Sequence, residues 1–163
     1  MTNIRQATPN DLEAMLRIYD YARGFMARTG NPTQWGDGYP KRELLEQDIA
    51  QGRSYVMEGE DGAVHAVFFY APGPDLTYAV IEDGAWLNDA PYGVIHRIAG
   101  DGQVKGVLAK AVAFCRAMCP ELRIDTHFDN HVMQAALEKQ GFQRCGIIYL
   151  ENGDPRIAYQ LTR

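Results

Sequence analysis

Leu12, Met15, Leu16 and Tyr19 recur at helical spacing. Ahead of them, Thr8-Pro9-Asn10-Asp11 supplies a capping hydroxyl, a proline suited to a first helical position and an acid for the first turn. This predicts a first helix after the short strand NIRQA. KRELLEQDIAQG predicts a second, stopped by Gly52. Between them NPTQWGDGYP, residues 31 to 40, is loop by its proline and glycine content, yet carries Trp35 and Tyr39. Ser54 to Glu58 and Ala63 to Tyr70 read as strands joined by the turn GEDG, a hairpin. After the turn APGPD, Tyr78 to Ile81 reads as a further extended piece, and Tyr92 to Ile98 as another strand.

Val104, Val107, Leu108, Ala111, Val112 and Cys115 line one face of a third helix, closed by Pro120. ELRIDT is a short strand, and Asp129 or Asn130 caps a fourth helix, HVMQAALEKQ, ended by Gly141. FQRCGIIYL and RIAYQL form a terminal hairpin about ENGD. The order predicts a mixed α/β layer, an antiparallel front half with helix crossovers behind.

A chain of 163 residues suits one domain spanning 1–163. A hydrophobic share of 46% and a charged share of 23% exclude disorder as the default. The net charge of −5 argues against nucleic-acid or anionic-membrane partners, which need a basic footprint. With no basic leader and no apolar run of membrane-spanning length, a cytoplasmic protein is expected. Cys115, Cys119 and Cys145 form neither an even framework nor a CxxC pair, as a reducing compartment allows. C-x3-C-x7-H-x3-H over Cys115, Cys119, His127 and His131 has too short a spacer for a zinc finger, so no metal is expected.

The segment HRIAGDGQVKGVLAKAVAFC, residues 96 to 115, runs from strand through three glycines into helix. Such a turn presents backbone N–H groups to an anion. It is neither a GxxxxGK[ST] loop nor a GxGxxG dinucleotide turn. Gln103-Val104-Lys105-Gly106-Val107-Leu108 resembles the Gln/Arg-x-x-Gly-x-Gly/Ala diphosphate loop of the GNAT superfamily of acyl-CoA-dependent N-acetyltransferases, with Leu108 departing from the small last residue. NHVMQAALEKQGF, Asn130 to Phe142, resembles a second block of that family, and the match runs in order along the chain.

The resemblance implies a GNAT-like fold: a mixed, mostly antiparallel sheet splayed at the CoA-binding strands and flanked by helices. It implies acetyl-CoA as cosubstrate, with diphosphate on the amides of Gln103 to Leu108. The pantetheine arm would pair with Ile98, Ala99 and Gly100 and touch Asn130, whose alternative role is a helix cap. Aligning HRIA with the family's catalytic strand puts His96 where many members carry a glutamate base. An imidazole can serve there, since a free alkylamine must shed a proton before attack. The alternative is a half-buried structural histidine.

The family's tyrosine acid falls on Leu137 and is absent; Tyr149 is a conceivable substitute. Asp125 and His127 are candidates to bind the amine or orient water. Trp35, Tyr39, Tyr78 and Trp86 are candidates to wall an aromatic slot, or else pack as local cores. No cysteine is placed as a nucleophile, so direct transfer to a primary amine of a small molecule or peptide is expected. The rival is a CoA-binding sensor or partner-binding module that has lost the chemistry. A monomer or homodimer is expected.

Overall fold

The computed structural model describes residues 2–163. One seven-stranded sheet runs in the order β1-β2-β3-β4-β5-β7-β6. The strands are β1 (Asn3–Gln6), β2 (Ser54–Glu58), β3 (Val64–Pro72), β4 (Gly93–Gly100), β5 (Leu122–Thr126), β6 (Gln143–Tyr149) and β7 (Pro155–Leu161). Every neighbouring pair is antiparallel except β4 and β5, which α3 (Val107–Arg116) connects as a crossover. The other helices are α1 (Leu12–Arg28), α2 (Arg42–Ala50) and α4 (His131–Lys139).

The amphipathic helices bury their apolar stripes on both faces of the sheet. On one face Ala111, Val112 and Cys115 of α3 and Leu137 of α4 meet Phe68, Ile95, Leu122, Ile124 and Tyr159. On the other, Met15, Ile18 and Tyr19 of α1 and Leu45 of α2 cover Val56, Val67 and Ala99. Beyond β4 the second face is roofed by the segment 76–92 instead, where Tyr78 packs with Val94, Ile148 and Ala158. Pro9–Asp11 form a 3-10 turn, so α1 starts at Leu12, and Tyr78 ends another such turn rather than opening a strand. The extended pairing expected near Tyr78–Ile81 falls one residue later, at the isolated bridge Glu82↔Ile147.

That roof lies close to the sheet because two residues have no side chain. A Cβ on Gly84 would stand 1.8 Å from the Cys145 carbonyl oxygen, and one on Gly146 2.5 Å from that of Glu82. Gly84→Ala therefore forces the roof off β6, and the expected loss is about 1–3 kcal/mol of unfolding free energy. Urea denaturation checks it, and an unchanged midpoint would mean the roof carries no packing energy there.

β4 has the feature on which the site depends. Phe69 pairs with His96 and Val67 with Ala99, so Phe68 faces two residues, Arg97 and Ile98. This is a β-bulge, and Arg97 takes a left-handed φ of 51° to make it. The extra residue turns Arg97 to the same side as His96, the side of α1 and α2. Ile98 then returns to the α3 side.

Candidate active site

β4 and β5 are paired only at Gly93↔Leu122 and Val94↔Arg123, and beyond that they diverge. The Asp101 N–H bonds the His65 carbonyl at 3.0 Å, which sets the phase of the β3–β4 ladder. With that phase Ala99 spends its backbone groups on β3, whereas Ile98 and Gly100 point theirs into the gap. Of the strand residues expected to face the gap, Ala99 thus differs: it sits in the α1 core.

At the end of β4 the chain turns through residues 101–106. Gly106, at φ 66°, delivers it into α3. The Gln103 amide is already taken by Asp101 Oδ1 at 3.0 Å, so the anion-binding run is shorter than the sequence implied. The amides of Val104 to Leu108 find no acceptor among the described residues. They stand at a helix start, where partial positive charge accumulates.

Asp101 is itself braced by His65. The ring spans Asp101 (Nδ1–Oδ2 2.8 Å) and Asp61 (Nε2–Oδ2 2.8 Å), and these two bonds, that to Asp101 foremost, raise its pKa. A proton held more tightly in the folded state stabilises fully below the unfolded value, about 6.5, and the contribution is lost as pH rises through the folded value. His65→Gln should therefore lower the urea midpoint more at about pH 6 than at about pH 9. A gap that widens with pH would contradict this.

Through the β4–β5 gap lies a cavity of about 750 Å³, within the range of small-molecule sites. Ile95 to Ile98 of β4, Ile124 to Thr126 of β5, Asn130 and the loop 33–36 with Tyr39 line it. His96 Nε2 lies 2.9 Å from Asp75 Oδ2. Burial works to raise the Asp75 carboxyl, but the bonds from His96 and from Thr77 outweigh it and hold it at about 2. An ionised carboxylate only accepts, so Nε2 carries the proton and a neutral ring keeps its lone pair on Nδ1. Nδ1 stands 3.8 Å from Asp125 Oδ2, which accepts from the Tyr78 hydroxyl at 2.7 Å. Two acceptors thus face one space.

Arg97 and its partners were not picked out from the sequence. Asp48 Oδ2 holds its guanidinium at 2.7 Å, Phe69 lies under it at 4.6 Å, and Tyr19 donates to its carbonyl at 2.6 Å. The available signal was the pair His96-Arg97, two polar residues in a row within an otherwise apolar strand.

Trp35 and Tyr39 line the cavity, with ring centroids 6.4 Å apart. Tyr78 and Trp86 do not. Tyr78 is buried and acts through Asp125, while the Trp86 indole donates to the Tyr78 carbonyl and lies against Arg123, so both belong to the roof. Asp125 is in the cavity wall; His127 stands behind the wall, against Thr33. Asn130 caps α4 through Met133 N (3.0 Å), ties Gln34 to the helix and still faces the cavity. Thr126 Oγ1 is buried beside the gap without a partner, a donor and acceptor that sequence reading missed.

Leu137 is fully buried, and the Tyr149 hydroxyl bonds Glu82 at the surface rather than entering the cavity. No cysteine lines the cavity, and burial pushes the Cys115 thiol up to about 12. Among the described residues no three histidine, cysteine or acidic side chains gather as metal ligands, and no helix is long and apolar enough to cross a membrane.

A mixed sheet opened at its one parallel pair, with bare amides at a helix start on one side and a polar cavity on the other, places this protein among the acetyltransferases of known structure. An acetyltransferase of the GNAT family from Streptococcus agalactiae is 34% identical over 99% of this chain and 95% of its own, with a TM-score of 0.88. The chain belongs to the GNAT family. More distant structures share the fold. One is the ribosomal-protein-alanine N-acetyltransferase of Brucella melitensis (21% identity, 99% of both chains, TM-score 0.62). Another is a phosphinothricin acetyltransferase of Sinorhizobium meliloti in complex with AcCoA (14% identity, 99% of this chain and 89% of that one, TM-score 0.62). No family model matches the chain, and neither does any curated protein.

Proposed function

We propose that the protein transfers the acetyl group of acetyl-CoA to a primary amine by direct attack within a ternary complex. The observation that carries this is the β4–β5 gap. The cavity in it reaches from Ile98 and Thr126 to His96 and Asp125, and beyond the end of β4 the unengaged amides of Val104 to Leu108 begin, with Val104 and Lys105 lining a separate hollow of about 310 Å³.

Each piece fits a part of the cosubstrate. The α3 amides and dipole suit the diphosphate. Ile98 and Gly100 suit the amides of an extended pantetheine arm, with the orphaned Thr126 hydroxyl as a further partner. Asn130 is chiefly a cap that sets the far wall.

The acceptor enters as an ammonium and donates to Asp125 Oδ2 and His96 Nδ1, the two acceptors 3.8 Å apart. His96 takes one proton, Asp75 stabilises the resulting imidazolium, and the freed lone pair attacks the thioester carbonyl carbon. The Ile98 N–H, free of β3, serves the developing oxyanion. The attacking nitrogen gives up its second proton to solvent, and collapse re-forms C=O and breaks the C–S bond to leave a neutral amide. A thiolate whose acid has a pKa near 8.5 leaves readily and takes its proton from water, consistent with Leu137 and Tyr149 lying outside the cavity.

Two measurements test the reading. Acetyl-CoA at a hundred times its dissociation constant should stabilise the protein by about 2.7 kcal/mol in thermal unfolding. An amine panel followed by free CoA thiol should then show turnover. Stabilisation without turnover on any amine would reduce the protein to a CoA-binding module, and no stabilisation would remove the reading.

A further inference from the structure

Two guanidinium groups line the cavity, and they differ in one respect. Arg97 is neutralised by Asp48. Arg156, at the start of β7, is only 5% exposed and has no carboxylate within ion-pairing distance among the described residues. Two of its five N–H donors reach carbonyl oxygens, Pro155 at 2.9 Å and Gln34 at 3.4 Å. A guanidinium cannot shed its proton, so a buried one without a counter-charge is a standing electrostatic cost. Arg156 lines the cavity, and its remaining donors find no acceptor among the described residues.

The sheet places this cation beside the amine site. Asp125 pairs with Ala158 on β7, and Arg156 is two residues further along the same face. Strand geometry puts such diagonal neighbours about 7–8 Å apart at their Cα atoms. The cavity wall therefore carries anionic groups at Asp75 and Asp125 and a cationic one at Arg156. Glu151 and Asp154, exposed on the turn before β7, put negative charge at the rim. An anionic group that extended outward past Arg156 would meet them.

Resting on the acetyl-transfer reading, we propose that the acceptor is a free α-amino acid, its ammonium held between Asp125 and His96 and its carboxylate by Arg156. Asp125 and Arg156 lie on neighbouring strands two positions apart on one face, which suits a carboxylate borne close to the amine, as in an α-amino acid. The acidic rim disfavours acidic peptides, and Trp35 and Tyr39 are left to contact the side chain. A polyamine lacks the group that would compensate Arg156.

The test is a panel of α-amino acids, each beside its carboxamide, which keeps shape and amine but not the negative charge. With acetyl-CoA, at least one acid should exceed its amide tenfold or more in kcat/KM, mainly through KM. In R156Q the ratio of acid to amide in kcat/KM should fall to near one, and in R156K the preference should persist in part. Equal rates for acid and amide overturn the proposal. So does an equal loss on both in R156Q and R156K, which would make Arg156 only a support for the 33–36 loop through Gln34. Should no amine react, acetyl transfer falls, and calorimetric binding of the same panel in the presence of CoA decides the acid preference separately. Arg156-dependent binding of acids over amides then supports it, and its absence overturns it.

Discussion

Replacing His96 with alanine lowers kcat on a reactive amine by about 10²- to 10⁴-fold, the range of a positioned general base. The cosubstrate should still bind, because Ile98, Gly100 and the α3 amides do not depend on the imidazole. KM for acetyl-CoA and its thermal shift are therefore expected to stay near wild type. The pH profile carries the sharper information. If His96 takes the amine's proton, the residual rate in H96A follows the amine's own ionisation. Asp75→Asn gives a smaller loss of the same kind. It keeps a partner 2.9 Å from Nε2 but removes the charge that fixes the tautomer and stabilises the imidazolium. A wild-type rate in H96A would reassign His96 to structure. So would a loss equal in both variants with the pH profile preserved.

How much of this was legible beforehand depends on the range of the forces involved. All four helices and both hairpins follow from local periodicity and turn chemistry, and the structure has them within a few residues. Asn130 as a cap follows from the same local rules, whereas the third helix, read from Val104, begins only at Val107 because Gly106 enters it in the αL conformation. The loop before α3 and His96 could be placed because they share one continuous segment. What the sequence did not show is convergence. Asp75 reaches His96 from 21 residues away, Asp48 reaches Arg97 from 49, and Gln34 reaches Arg156 from 122. Each meeting depends on strand order and register rather than on any local pattern. Tyr78 and Trp86 show the converse error. Aromatics in a turn-rich segment suggested a binding slot, but the segment folds down as a roof, and burying large rings there is worth more than lining a cavity. The bulge left a local signal unused, since His96-Arg97 puts two polar residues in a row within an otherwise apolar strand.

That bulge also governs the largest expected loss of stability. Arg97 holds a left-handed φ that a non-glycine residue adopts only under constraint, and the constraints are the Asp48 ion pair and the Tyr19 hydroxyl on its carbonyl. Burial pushes the Asp48 carboxyl above its ordinary value even with Arg97 attached, so the pair is retained for what it positions more than for net stability. Removing one partner is another matter. In Asp48→Ala the Arg97 charge stays, its side chain 13% exposed, with the Phe69 face and a long bond to the Tyr39 hydroxyl (3.4 Å) to offset its lost hydration. Breaking buried pairs costs about 3–5 kcal/mol, and the residual exposure favours the lower end, about 3 kcal/mol in urea denaturation. D48A/R97M removes the orphaned charge as well, so it should recover part of that loss despite carrying a second substitution. Additive losses would show that packing, not uncompensated charge, explains the single variant. Because the bulge sets the side on which His96 stands relative to Ile98, D48A should also lower kcat at temperatures where it remains folded. R97M, which keeps the backbone bond to Tyr19, should lower it less.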